Sequence, residues 1–182
     1  MKRALLLLVL LTSCSKKVDL PVLYNVPEFT LIERSSREVK NQELAGQIWI
    51  ADFVYTSCGG ICPIMTQKMR KLQDRLPEEI RLVSFSVDPE TDTPAVLTEY
   101  AKKFGADPKR WLFLTGSREA LYALSKDGFK LAVENTGGTE VEPITHSSRF
   151  VIVDREGRIR GYYSMNDPEE LEHIIRDVKS LL

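Results

Sequence analysis

Ile48-Trp49-Ile50-Ala51-Asp52-Phe53-Val54-Tyr55, followed at once by Thr56-Ser57-Cys58-Gly59-Gly60-Ile61-Cys62-Pro63, decides the reading of this chain. The first eight residues are short, apolar and β-rich, and they end at small polar residues, which describes a buried strand. Pro63 suits a first helical turn, where its missing N–H costs nothing. Beyond it Ile64, Met65, Met69, Leu72 and Leu76 keep helical spacing. The spacing therefore predicts a strand that delivers two thiols to a helix N-terminus. There the macrodipole and the free N–H groups favour thiolate over thiol. Thiolates attack disulfides and bind soft metals.

Outward from this unit the chain alternates strand and helix. Residues 28–33 and 37–40 flank Ser35-Ser36 and predict a small hairpin ahead of the main strand. Residues 80–87 alternate like a strand, and the turn from Asp88 to Pro94 carries helix-starting chemistry, with Asp92 or Thr93 as cap. A helix to about Phe104, a strand over 111–115 and a helix from Ser117 to about Lys126 follow. Residues 133–145 form a Gly- and Glu-rich loop. A hairpin over 149–154 and 158–163, turned at Glu156-Gly157, and a helix over 168–182 close the chain. This order predicts an α/β sandwich of thioredoxin type, with an N-terminal β-hairpin extension and a late β-hairpin plus closing helix.

Composition sets the surroundings. The 182 residues suit one domain with a tail. Charged residues make up 28% and hydrophobic residues 43%, as in an ordinary globular chain. The formal net charge of −1, with no basic run, gives nothing for nucleic acid to recognise. At the start, Lys2 and Arg3 precede the apolar run from Ala4 to Leu11, then Thr12, Ser13 and Cys14. A basic segment, a short apolar run and a small-residue cleavage site describe a secretory signal, too short to span a bilayer. Leu11-Thr12-Ser13-Cys14 resembles a bacterial lipobox. This implies a signal peptide over 1–13, lipid on Cys14, a tether over 14–25 and a domain over 26–182, exported and lipid-anchored to a bacterial membrane, facing the periplasm or the cell exterior.

Of the three cysteines, lipid on Cys14 leaves Cys58 and Cys62 as a pair where disulfides can persist. A purely structural staple gains most from closing a long loop, and this pair closes a very short one. Only two histidines are present. His173 lies among Glu169, Glu170, Glu172 and Arg176 and reads as a surface residue. His146 lies between the glycine-containing loop and the strand-like run from Phe150 to Val153, where a thioredoxin-type fold brings a loop beside the dithiol. Two thiolates and an imidazole form a soft donor set with an open side. Structural zinc would want a fourth protein ligand, and iron–sulfur clusters want four cysteines as a rule. Copper held for transfer, as Cu(I) or Cu(II), suits three donors.

CGGICP at 58–63, SVDPETDTP at 86–94, THSS at 145–148 and DREGRIRGYY at 154–163 together resemble the Sco/SenC family of copper chaperones. The resemblance covers roughly residues 26–182. It implies a thioredoxin-like fold, copper ligation by Cys58, Cys62 and His146, and a redox role for the Cys58–Cys62 pair. It also implies a partner in cytochrome c oxidase subunit II, whose copper A site would receive copper, have its cysteines reduced, or both, with other copper chaperones as further partners. Asp88 matches an acidic position of the family pattern and is a candidate to lie beside the site; its alternative is a turn or capping role. Two departures stand out. Gly59 replaces a proline common after the first cysteine, and Thr145 replaces an aspartate common before the histidine. The alternative class is a thiol–disulfide oxidoreductase or thiol peroxidase without a metal role; a third is a lipoprotein interaction domain stapled by a disulfide.

Overall fold

The computed structural model describes residues 19–134 and 144–182. Its strands are β1 (Tyr24–Asn25), β2 (Thr30–Glu33), β3 (Glu38–Lys40), β4 (Trp49–Val54), β5 (Arg81–Ser86), β6 (Trp111–Thr115), β7 (Val133–Glu134), β8 (Thr145–His146), β9 (Arg149–Val153) and β10 (Arg158–Ser164). Its α-helices are α1 (Ile61–Arg75), α2 (Pro94–Lys103), α3 (Arg118–Ala123) and α4 (Glu170–Leu181). Eight strands form one sheet in the order β1-β10-β9-β4-β5-β6-β2-β3.

The centre of the sheet is parallel. β4 runs beside β5 from Trp49↔Arg81 to Val54↔Ser86, and β5 beside β6 from Leu82↔Trp111 to Phe85↔Leu114. Every residue of β4 is buried. A strand covered on both faces has no solvent side, and that is why its sequence is apolar at every position except Asp52 rather than alternating. β9 pairs antiparallel to β4 through Ala51↔Val151, and β10 turns back along β9. Phe53 stacks on Phe85 at 5.0 Å and meets Phe129 edge-on at 5.3 Å, a cluster that Trp49 extends. Each such fully buried ring contributes about 1.5–3 kcal/mol of apolar burial.

The thioredoxin-like α/β architecture and both hairpins stand as the sequence predicts, with three differences of detail. First, Tyr24–Asn25, placed by sequence in the tether, is an edge strand paired to Ile159 and Arg158. Arg160 reinforces it by donating to the carbonyls of Leu20 and Pro21, so the ordered fold begins before residue 26. Second, α3 ends at Ala123 and continues as a π-turn over Leu124–Gly128. That wider turn brings Phe129 into the core, with its N–H on the Leu124 carbonyl. Third, Val133–Glu134 and Thr145–His146 pair across the predicted loop, Val133 facing His146. The interior of that loop, 135–143, lies outside the described residues, as do the signal segment and Cys14. Among the described residues no helix is long and apolar enough to cross a membrane.

Candidate metal centre

The carboxyl end of β4 carries the site. The chain leaves the sheet at Tyr55, passes Cys58 in a loop and enters α1 at Ile61, with Gly60 as N-cap. On α1, Cys62, Met65, Thr66, Met69, Leu72 and Gln73 are buried, the stripe that faces the sheet. Cys62 is therefore a core residue of the first helical turn, fully inaccessible, and Cys58 is nearly so at 4%. Both cysteines are free thiols. From the other direction, the short pairing of β8 with β7 leaves His146 half-buried above them. The donor atoms of Cys58, Cys62 and His146 all lie within 4.8 Å of one another.

The imidazole is already oriented. His146 Nδ1 lies 3.2 Å from the Ser147 carbonyl oxygen, and Nε2 lies 3.0 Å from Cys62 Sγ. A carbonyl oxygen only accepts, which assigns the ring proton to Nδ1 and the lone pair to Nε2. The Cys62 S–H then donates to that lone pair. Burial pushes the Cys62 thiol up, far above the ordinary cysteine range, and the nearby Cys58 and Asp52 push the same way. This corrects the expectation that the helix terminus would leave a thiolate here: at full burial, desolvation outweighs the macrodipole. A metal ion supplies the charge that makes loss of the thiol proton favourable.

The remaining candidates fall in different places. Asp88 sits in the turn after β5, where its N–H donates to Ser86 Oγ at 3.1 Å and its carbonyl accepts from the N–H groups of Thr91 and Asp92. The cysteine cluster does not include it. His173 lies on α4, with Nδ1 3.1 Å from Asp167 Oδ2, also away from the cluster. Of the two caps weighed for α2, Thr93 is the one used, accepting from the Val96 N–H. Asp92 is left to make other contacts. Fully buried, it accepts from the N–H of Thr56 and from the hydroxyls of Thr56 and Ser86. It holds the loop two residues before Cys58. Sequence reasoning stopped at the capping role, although only one of two adjacent capping residues can serve and the surplus carboxylate was the available signal. Tyr55 was also missed. Its ring meets the His146 ring edge-on, with centroids 5.5 Å apart at 85°, and its buried hydroxyl has no hydrogen-bond partner.

With this geometry in place, comparison with known proteins identifies the group. Residues 23–182 match the SCO1/SenC family. The chain belongs to the SCO1/SenC family. The SCO1/SenC chain is similar to the crystal structure of a SCO1/SenC family lipoprotein from Bacillus anthracis: 36% identity, TM-score 0.78, covering 87% of this chain and 95% of that one. It is similar to the structure of BsSco, described as a member of the Sco family of cytochrome c oxidase assembly proteins in which a disulfide switch was identified: 35% identity, TM-score 0.78, with 88% and 95% covered. It also resembles Arabidopsis thaliana ScoI crystallised with copper bound: 25% identity, TM-score 0.72, with 85% and 98% covered.

Proposed function

We propose that this SCO1/SenC chain binds copper through Cys58, Cys62 and His146. Its role is then to serve the copper A site of cytochrome c oxidase subunit II, delivering copper, reducing the target cysteines, or both. The observation that carries the reading is the convergence of two sulfurs and the unprotonated Nε2 of His146 within 4.8 Å. Soft sulfur donors with one imidazole select copper over hard cations. The copper bound to Arabidopsis thaliana ScoI and the assembly role of the BsSco family support the same assignment. Copper is cargo here: three protein donors leave a side from which a receiving cysteine can enter, and exchange proceeds one ligand at a time. Upstream copper chaperones would load the site by the same route.

The same pair supports a reductive step. The Cys58–Cys62 S–S bond forms while the target S–S bond breaks through a mixed disulfide. Two electrons and the two thiol protons pass to the target's sulfurs. Since the disulfide removes both thiolate donors, copper binding and reductive work exclude one another in any one molecule.

Position follows from the N-terminal segment. Lipid on Cys14 would hold the domain at the outer side of a bacterial membrane, and the description of the Bacillus anthracis relative as a lipoprotein supports this. The test of the metal reading is direct. Reduced, full-length protein titrated with Cu(I) should take up one copper, with X-ray absorption showing two sulfur neighbours and one nitrogen, and protein oxidised to the Cys58–Cys62 disulfide should take up none. Equal uptake in both forms would overturn it.

A further inference from the structure

Tyr55 presents an unusual combination around the dithiol. It is fully inaccessible to solvent, and its hydroxyl is buried with no hydrogen-bond partner. A buried hydroxyl without a partner is a cost to the fold, so its persistence at a binding site calls for an acceptor that appears in another state. The residue is tied to the donors from two sides. Its carbonyl accepts from the Cys58 N–H at 3.4 Å, closing the turn that carries the cysteine. Its ring packs edge-on against His146. The hydroxyl faces the Cys58 sulfur and the Ile144 backbone closely enough to interact with both, without completing a well-formed hydrogen bond to either.

The chemistry of sulfur supplies the missing acceptor. A neutral thiol accepts a hydrogen bond weakly, whereas a sulfur carrying negative charge accepts strongly. Metal ligation removes the thiol proton, while a phenol, with an ordinary pKa near 10, keeps its own. We propose that Tyr55 is a positioning residue for the metal-loaded state: its hydroxyl donates to the Cys58 sulfur once that sulfur is a copper ligand. The contact is weak in the metal-free protein and becomes a full hydrogen bond in the loaded one, so the free energy gained between the two states goes into copper affinity. The inference rests on the copper reading above.

The decisive variant is Tyr55→Phe, which keeps the ring against His146 and deletes only the hydroxyl. Wild type and variant, both full-length and reduced, are compared in three measurements: metal-free thermal melting, Cu(I) affinity by competition with a chromophoric chelator, and the thiolate-to-copper absorption of the Cu(II) complex. The metal-free melting temperature should hold or rise, because a partnerless hydroxyl has gone. Cu(I) affinity should fall by about threefold to tenfold. The absorption should move to lower energy, since a sulfur without the hydrogen bond gives up charge more easily. A purely structural hydroxyl would lower melting temperature and affinity together and leave the band in place, and that outcome overturns the proposal. So does unchanged affinity with an unchanged band. If wild type itself takes up no copper, the parent reading falls and this one with it; if only the variant fails to differ, this one falls alone.

Discussion

Asp92 and Thr56, 36 positions apart in sequence, join the two motifs of the chain: the Asp92 carboxylate accepts from the Thr56 hydroxyl at 2.5 Å and from its N–H at 3.2 Å. Thr56 starts the loop that presents Cys58, and Asp92 ends the acidic turn that starts α2. Ser86, the last residue of β5, donates to the same carboxylate at 2.6 Å. One buried side chain thus fixes the loop to the neighbouring strand and to the following helix. Copper affinity in a three-donor site depends on how little the donors must reorganise, so this anchor belongs to the site although it touches none of the donors.

Asp92→Ala leaves the Thr56 N–H and both hydroxyls without their acceptor in a buried setting. It should destabilise the domain by about 2–4 kcal/mol and weaken Cu(I) binding in the fraction that remains folded. Urea denaturation paired with a copper competition titration checks both. A variant with wild-type stability would show that the loop is held by something else.

His146→Ala should separate the two oxidation states of copper. Removing the imidazole takes one of three donors, and Cu(II) should suffer more than the roughly 10–100-fold that losing an outer partner costs a metal site. Cu(I), content with two thiolates, should lose less. The histidine stands on a two-residue strand at the rim, so the melting temperature should change little. His173→Ala, which removes only contacts on α4, serves as the control and should leave both metals unaffected. Cu(II) binding by His146→Ala with the wild-type visible spectrum would mean that the ring does not ligate.

The attachment reading makes its own demand. If lipid on that sulfur is the anchor, worth about 0.8 kcal/mol per buried CH₂, Cys14→Ser should remove the protein from the membrane fraction or stop its maturation. Mass spectrometry of the wild-type N-terminus should find acyl groups. Wild-type protein free in the exported fraction with an unmodified terminus would end the tether model.

How far the sequence could be read follows from how local each signal is. β4 was legible because a strand buried on both faces is apolar at nearly every position, here all but Asp52, and the late hairpin because Gly157 at φ 74° marks its turn. The triad was legible because cysteine and histidine are so scarce here that few combinations exist. β1 was not, since two residues carry no periodicity and the pairing of Tyr24 with Ile159 spans most of the chain. The π-turn after α3 escaped for a related reason: its cause is the burial of Phe129, a tertiary demand that local helix propensity does not register. Tyr55 and Asp92 looked like a strand end and a helix cap, and their further contacts come from residues distant in sequence.

Asp52 gives the stability of the protein a definite pH dependence. It lies in the middle of β4, fully buried. Its Oδ1 accepts from Ser84 Oγ at 2.6 Å, while Ser84 Oγ accepts from the Trp111 indole N–H at 2.9 Å. Because an indole N–H can only donate, the serine proton points at Oδ1, and the carboxyl proton belongs on the partnerless Oδ2. Burial raises this carboxyl from 3.8 to about 7, against the lowering effect of the Ser84 hydrogen bond. An acid with a folded pKa above its unfolded one holds its proton more tightly in the native state, so its contribution is most favourable below about pH 4. Stability then falls as pH rises from about 4 to about 7 and levels off beyond. The full difference is at most roughly 4 kcal/mol. Asp92, also raised by burial, adds a component of the same sign. Asp52→Asn replaces the titrating group by a neutral one that can still accept from Ser84. It should flatten most of the decline, leaving the share due to Asp92, and should melt above wild type at about pH 8 but not at about pH 4. Melting temperatures of both proteins, metal-free and reduced, across that range decide the matter, and parallel curves would place the titrating group elsewhere.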